Sequence, residues 1–259
     1  MPVSTPFRVQ GFTAFVLAAA TVLGQPATNA PFAARAAQTF ASAQRELAAR
    51  PTAADAACRL GRASYDWAEF ATNSEQRAAV AQTGITACRQ LLVRDLKSAP
   101  GHYYLAMDYG ELAQAEAPSL AAYKLIRDIE HEFKAAADLD ERLDFAGPPR
   151  CLGLLYRDAP GWPISIGSKR KAREFLDRAA ALAPDYPENQ LNLVESHVRW
   201  HEAVEAETAW QKLARLWPAA RTNLTGVAWE PSWDDWTTRR AAAKADFQKA
   251  FKRAPEPGG

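Results

Sequence analysis

The chain has 259 residues, 48% of them apolar and 24% charged, enough to bury a full hydrophobic core. A net charge of +1, with Lys and Arg scattered beside Asp and Glu, excludes an electrostatic case for nucleic-acid binding. Ala, Leu, Arg, Glu and Lys dominate, a composition that favours helices.

The N-terminus reads as an export signal. Arg8 precedes an apolar run over residues 11–24, about the length of a signal h-region and short for a membrane span. Cleavage is expected after Gly24 or near Ala30, so residues 1–24 (or to about residue 30) form the signal peptide. No Cys lies near the end of the run, so lipid anchoring is not supported. The product is expected to be exported and periplasmic, with membrane association through an uncleaved signal as the alternative. Residues 31–259 are expected to form a single helical domain.

Helices are predicted over residues 31–49, 53–70, 74–97, 101–116 and 118–139. In the first, Phe40, Ala43 and Leu47 share one side, and Pro51 ends it. Leu60-Gly61 follows Pro51 at the same offset as Tyr109-Gly110 follows Pro100. Both prolines therefore read as openings of repeats. Cys58 and Cys88 fall in one helical pair, either as a disulfide between its helices or as two buried free thiols.

The repeat becomes legible over residues 147–218. Gly147-Pro148-Pro149 opens it, Leu152-Gly153 and Tyr156 follow, and then come Ala172, Leu176, Ala179 and Pro184. Thirty-four residues after each of those last four stand Ala206, Trp210, Leu213 and Pro218. A third copy, Ala243, Phe247, Ala250 and Pro255, closes the chain. Small Ala lets two helices approach, the large apolar residue fills the space between them, and Pro stops the second helix. Period and pattern are those of the tetratricopeptide (TPR) helix-turn-helix. Helices are predicted at 169–183, from a capping-box-like Asp185-x-Pro-Glu188 to about His201, at 203–217 and at 234–253, with 219–233 irregular. The fold class is all-α, a TPR-like α-α superhelix (solenoid) of about four helical hairpins plus a terminal helix.

Between the halves of the central repeat lies a Pro/Gly insertion, residues 157–167, with Trp162 in it and Ser168 capping the helix that follows. The run from Cys151 to Pro184 resembles the TRAP-transporter T-component (TatT-like) family. The resemblance rests on a helix ending in Tyr, a loop reaching Ile-Gly-Ser, then K-A-R-E-F-L-x-R-A, and on the closing R-R-A-A-A-K-A-D-F. It implies an exported accessory that binds the substrate-binding protein of a tripartite transporter, as a trimer with a ligand cleft. The chain departs from that family's usual lipoprotein signal, which puts membrane attachment in doubt.

TPR arrays bind through the face made by the first helix of each pair. Counted from the Leu/Gly positions, Arg62, Tyr65, Tyr104, Met107, Glu111, Arg150, Arg157 and Arg199 are expected there. Tyr and Arg anchor interfaces, and Arg grips carboxylates bidentately, so Arg150 and Arg157 read either as holding an acidic ligand or peptide terminus or as ordinary surface Arg paired with Asp158 or Glu195, the second being favoured. Lys169, Arg170 and Lys171 at a helix start read either as an anion site or as solvated cations, with Trp162 and Ile166 packing the loop. Trp229, Trp233 and Trp236 either line an aromatic cleft for a small apolar ligand or seal the end of the array, the second being favoured. His197 and His201 stand four apart, but His197 holds a packing position of the repeat, and no metal or other cofactor is expected.

No nucleophile–base constellation appears, which argues against an enzyme. The leading reading is a non-enzymatic transport scaffold that docks a protein partner and holds a small apolar or acidic ligand. The alternative is a general periplasmic adaptor in envelope assembly.

Overall fold

The computed structural model describes residues 30–256. Residues 1–29, which carry the expected export segment, and residues 257–259 lie outside the described residues. Ten α-helices and one 3-10 turn run through the described residues, with no strand among them. None of these helices is long and apolar enough to cross a membrane. The described residues fall into two compact units, 30–143 with the loop 158–168, and 144–157 with 169–256.

The N-terminal unit contains α1 (Ala30–Ala49), α2 (Ala54–Ala68), α3 (Ser74–Arg94), α4 (Ala99–Glu116) and α5 (Leu120–Asp140). Their starts are chemically marked. Asn73 accepts from Gln76 N at 2.8 Å while Gln76 Oε1 accepts from Thr72 N at 2.8 Å, and Ser98 and Ser119 cap α4 and α5. Each such cap stabilises its helix by about 1 kcal/mol. Successive helices pack in pairs, and α2 also packs on α4, skipping one, as the first helices of neighbouring hairpins do. Two glycines allow this approach. A Cβ on Gly61 would overlap the Cys88 sulfur, and one on Gly84 would overlap the Asp108 carboxylate. Helix α4 is the centre of this unit, with Tyr103, Leu105, Met107 and Tyr109 all buried.

The C-terminal unit holds α6 (Leu143–Asp158), α7 (Lys169–Leu182), α8 (Pro187–Arg199), α9 (Ala203–Asn223), the 3-10 turn Val227–Trp229 and α10 (Glu230–Phe251). Here again α8 packs on α7, α9 and, skipping one, α10. Gly153 lets α6 meet α7, since a Cβ there would come within 2.6 Å of Leu176 Cγ. Ala172, Leu176 and Ala179 are buried, and so are Ala206, Trp210 and Leu213 of the next repeat, as the spacing predicts.

Three local expectations are corrected. Pro218 does not stop its helix: α9 continues through it to Asn223, losing one internal N–H donor. The stretch expected to be irregular is accordingly shorter, and α10 begins at Glu230. Asp185-x-Pro-Glu188 is not a capping box, because the N-cap of α8 is Tyr186, with no side-chain cap, and Glu188 is buried. Within α6, Asp144, Phe145 and Ala146 have φ of 50°, 56° and 63°, a full left-handed turn of non-glycine residues. Such backbone costs roughly 1–2 kcal/mol per residue and persists only where the surroundings fix it.

Candidate functional site

The residues expected on an exposed inner face are mostly internal. Tyr65, Tyr104, Met107, Glu111 and Arg150 are buried, Arg62 and Arg157 are half-buried, and Arg199 alone of the eight is exposed. The reason is the packing of α2 on α4 and of α8 on α10, which covers positions an isolated hairpin would present. What gathers there is not an open face but a buried polar centre in each unit.

In the C-terminal unit that centre is a ladder of alternating charge, Asp144, Arg150, Glu188, Arg239, Glu195 and Arg157, drawn from α6, α8 and α10. Arg150, 0% exposed, donates from Nη1 to Phe145 O at 2.9 Å and from Nη2 to Asp144 O at 3.3 Å. Its Nη2 stands 3.6 Å from Asp144 Oδ2, its Nε 4.0 Å from Glu188 Oε2, and its guanidinium lies over the Tyr186 ring. Asn189 Nδ2 donates to the same Phe145 carbonyl at 3.1 Å. These donors, with Phe145 stacked on Tyr186 at 4.5 Å, hold the left-handed turn. Arg239 grips Glu195 bidentately, Nε at 2.9 Å and Nη2 at 2.8 Å, and reaches Asn192 Oδ1 at 2.6 Å and Asp235 Oδ2 at 3.3 Å. Its Nη1 lies 3.5 Å from Glu188 Oε1. Arg157 Nη1 donates to Ser196 Oγ at 3.2 Å and stands 3.9 Å from Glu195. Burial pushes the Glu188 carboxyl up, against the pull of Arg150 and Arg239. Of the two readings of Arg150 and Arg157, the geometry matches internal pairing: both guanidinium groups tie internal elements together, and Arg150 is buried, not on the surface.

The N-terminal unit treats its buried acids differently. Asp108 is fully buried, and neither carboxylate oxygen has a hydrogen-bond partner among the described residues. Burial, followed by the charges of Glu111 and Asp66, pushes its carboxyl well above the ordinary value. One turn on, Glu111 pairs with Arg77, which also donates to Gln114 Oε1 at 3.4 Å. Burial outweighs Arg77 and pushes Glu111 up to about 7. Tyr65 donates its hydroxyl to Glu69 at 3.0 Å, and Arg62 stands 3.6 Å from Asp66.

The other candidates find clear places. Lys169 lies 2.7 Å from Glu202, which also pairs with Arg173 and faces His197 Nδ1 at 2.8 Å. Burial opposes these bonds, but together they hold the Glu202 carboxyl at about 2. Arg170 pairs with Glu174 on its own helix at 3.4 Å and Lys171 lies over the Tyr156 ring of α6, so each of the three cations has a partner within the protein. Trp229, Trp233 and Trp236 are buried against one another and against Tyr186, and Trp233 Nε1 donates to Leu224 O at 2.7 Å. They form a filled aromatic core, not a cleft. Cys58, Cys88 and Cys151 are free thiols, and burial pushes the Cys58 and Cys88 thiols up. Ser168 is half-buried, whereas Trp162 is 88% exposed and does not pack the loop down as expected.

Sequence reading offered Glu195 as a partner for Arg150 and Arg157, and Arg157 has it, but missed Asp108, Glu188 and Arg239. Asp108 had one visible signal, an acid flanked on both sides by the apolar run Tyr103–Met107 and Tyr109 of α4. Apart from Asp144–Arg150, the ladder's ion pairs join residues 38 to 51 positions apart, too far for a local pattern to show.

No protein-family model and no curated protein matches the sequence. Among solved structures, the chain is similar to the crystal structure of a thermophilic TPR protein from Thermus thermophilus, at a TM-score of 0.59 and 18% identity. The match covers 83% of this chain and 94% of that one. The fold is TPR-like, as the 34-residue spacing predicts.

Proposed function

We propose that the chain is an exported, non-enzymatic scaffold that docks a protein partner, and that the partner is the solute-binding protein of a tripartite transporter. The observation that carries the scaffold reading is the repeat of helical hairpins itself, an architecture whose units serve recognition by stacking. The chemistry supports it. The polar side chains that catalysis would draw on are engaged in internal ties (Arg150, Arg239, Glu195, Glu202) or sealed from solvent (Asp108). The finer reading draws its support from the resemblance of residues 151–184, with their Pro/Gly loop, to transporter T-components, and from the signal-like run at residues 11–24.

Three experiments test the parts separately. N-terminal sequencing of the product recovered from cells reads export, and a full-length cytoplasmic product rules it out. Binding of the purified chain to the solute-binding protein encoded beside it, by calorimetry, reads the transporter role. If the neighbouring genes encode no tripartite permease, the adaptor role in envelope assembly stands in its place.

A further inference from the structure

The loop 158–168 of the N-terminal unit is built to hold an apolar tip away from the fold. Gly167 N donates to Pro160 O at 2.8 Å, Gly161 and Gly167 form a β-bridge, and Ile164 N and Ser165 N both donate to Gly161 O, at 3.1 and 3.2 Å. The neck is closed by close backbone approach: a Cβ on Gly167 would collide with the carbonyls of Ala159 and Pro160. Beyond that neck stand Trp162, 88% exposed, and Ile164, 73% exposed, in a ten-residue run without a charge, residues 159–168. A folded chain rarely leaves a Trp so bare, and a pre-formed neck removes most of the ordering cost of binding through it.

The same unit carries an open groove of about 430 Å³ between α1 and α3, floored by Leu47, Leu60 and Ala87. Its walls are Ala79, Thr83 and Thr86, with the amides of Gln82 and Gln90 at the rim, and none of its lining residues is charged. Thr83 and Thr86 turn their hydroxyls back onto Ala79 O and Gln82 O, at 3.0 and 2.8 Å. The rim amides offer acceptors for an indole N–H, which a buried Trp needs.

We infer that the Trp162–Ile164 tip of one copy seats in the α1–α3 groove of a second copy. Tip and groove match in polarity and lack of charge, and the groove has room for an aromatic side chain with its neighbour. Because the tip and the groove are different patches, the contact is heterologous and joins copies head to tail. A tip this small falls below the roughly 1,200 Å² of a stable pairwise interface, so association is weak and rises with concentration. A lipid surface suits the tip less well, since even a full myristoyl chain gives only marginal membrane binding. The inference is independent of the docking function proposed above.

Sedimentation velocity of the purified chain from about 5 to about 500 µM, the range in which a contact this small acts, tests it. The weight-average mass of the wild-type chain should rise with concentration. Trp162→Ala, which removes the tip, and Thr86→Arg, which blocks the groove, should each leave a monomer throughout. Both positions are exposed, and unchanged circular dichroism melting confirms that the variants fold; Ile164→Asp and Thr83→Glu stand behind them. An equimolar mixture of Trp162→Ala and Thr86→Arg should regain dimers and nothing larger, because each supplies the half the other lacks. A wild-type monomer at every concentration, oligomers that survive both substitutions, or a mixture that stays monomeric would overturn the inference. So would Trp162-dependent binding to phosphatidylcholine–phosphatidylglycerol vesicles without self-association.

Discussion

The two units bury acids in opposite ways. The C-terminal unit keeps Asp144, Glu195 and Glu188 in register with Arg150, Arg157 and Arg239, and the charges alternate through α6, α8 and α10. The N-terminal unit gives Asp108 no cation and lets burial raise its carboxyl, while Glu111 has one partner and still rises to about 7. Paired buried charge resists the loss of a partner poorly, whereas a neutral buried acid has no partner to lose. The difference therefore predicts substitutions of opposite sign.

The largest effect should come from Arg150→Met. It leaves Asp144 and Glu188 short of a cation and strips two donors from a left-handed turn, so unfolding free energy should fall by about 3–5 kcal/mol in urea titration. Arg150→Lys should rescue little of this, since one ammonium cannot span both carbonyls. Next comes Gly84→Ala, which drives a methyl into the Asp108 carboxylate and Ser64 and should cost about 1–3 kcal/mol by the same measurement.

Asp108→Asn should instead stabilise. Burial keeps the Asp108 carboxyl protonated to higher pH in the folded chain than in the unfolded one, where it ionises around its ordinary value of 3.8. Unfolding thus releases a proton, and stability falls as pH rises from that value toward the raised one. Glu111 adds to the same fall between its ordinary 4.5 and about 7. Thermal melts from pH 4 to 8 should show Asp108→Asn raising Tm most at the alkaline end and hardly at all near pH 4. The smallest effect belongs to Glu202→Gln, within about 1 kcal/mol because the cluster is partly solvated. Its sign is the reverse: the contribution is present above 4.5 and lost as pH falls toward about 2.

How much of this was legible follows from range. Leu152-Gly153, Ala172-Leu176-Ala179 and the prolines after them fix a hairpin through contacts within about thirty residues, and the hairpins stand where that spacing places them. Pro51 and Pro184 end helices as expected, whereas Pro218 sits inside one because α9 gains more by continuing than one missing N–H costs. The buried centres escaped because they depend on which helix covers which. Tyr65 and Glu111 look like binding-face residues until α2 and α4 close on each other, and nothing near Arg150 in sequence announces Glu188 or Arg239.

The central proposal is that these hairpins serve as a docking scaffold. Capture from envelope extract with the immobilised mature chain tests it most directly. The account predicts stoichiometric retention of one solute-binding protein, and its failure to bind when added back in purified form would contradict it.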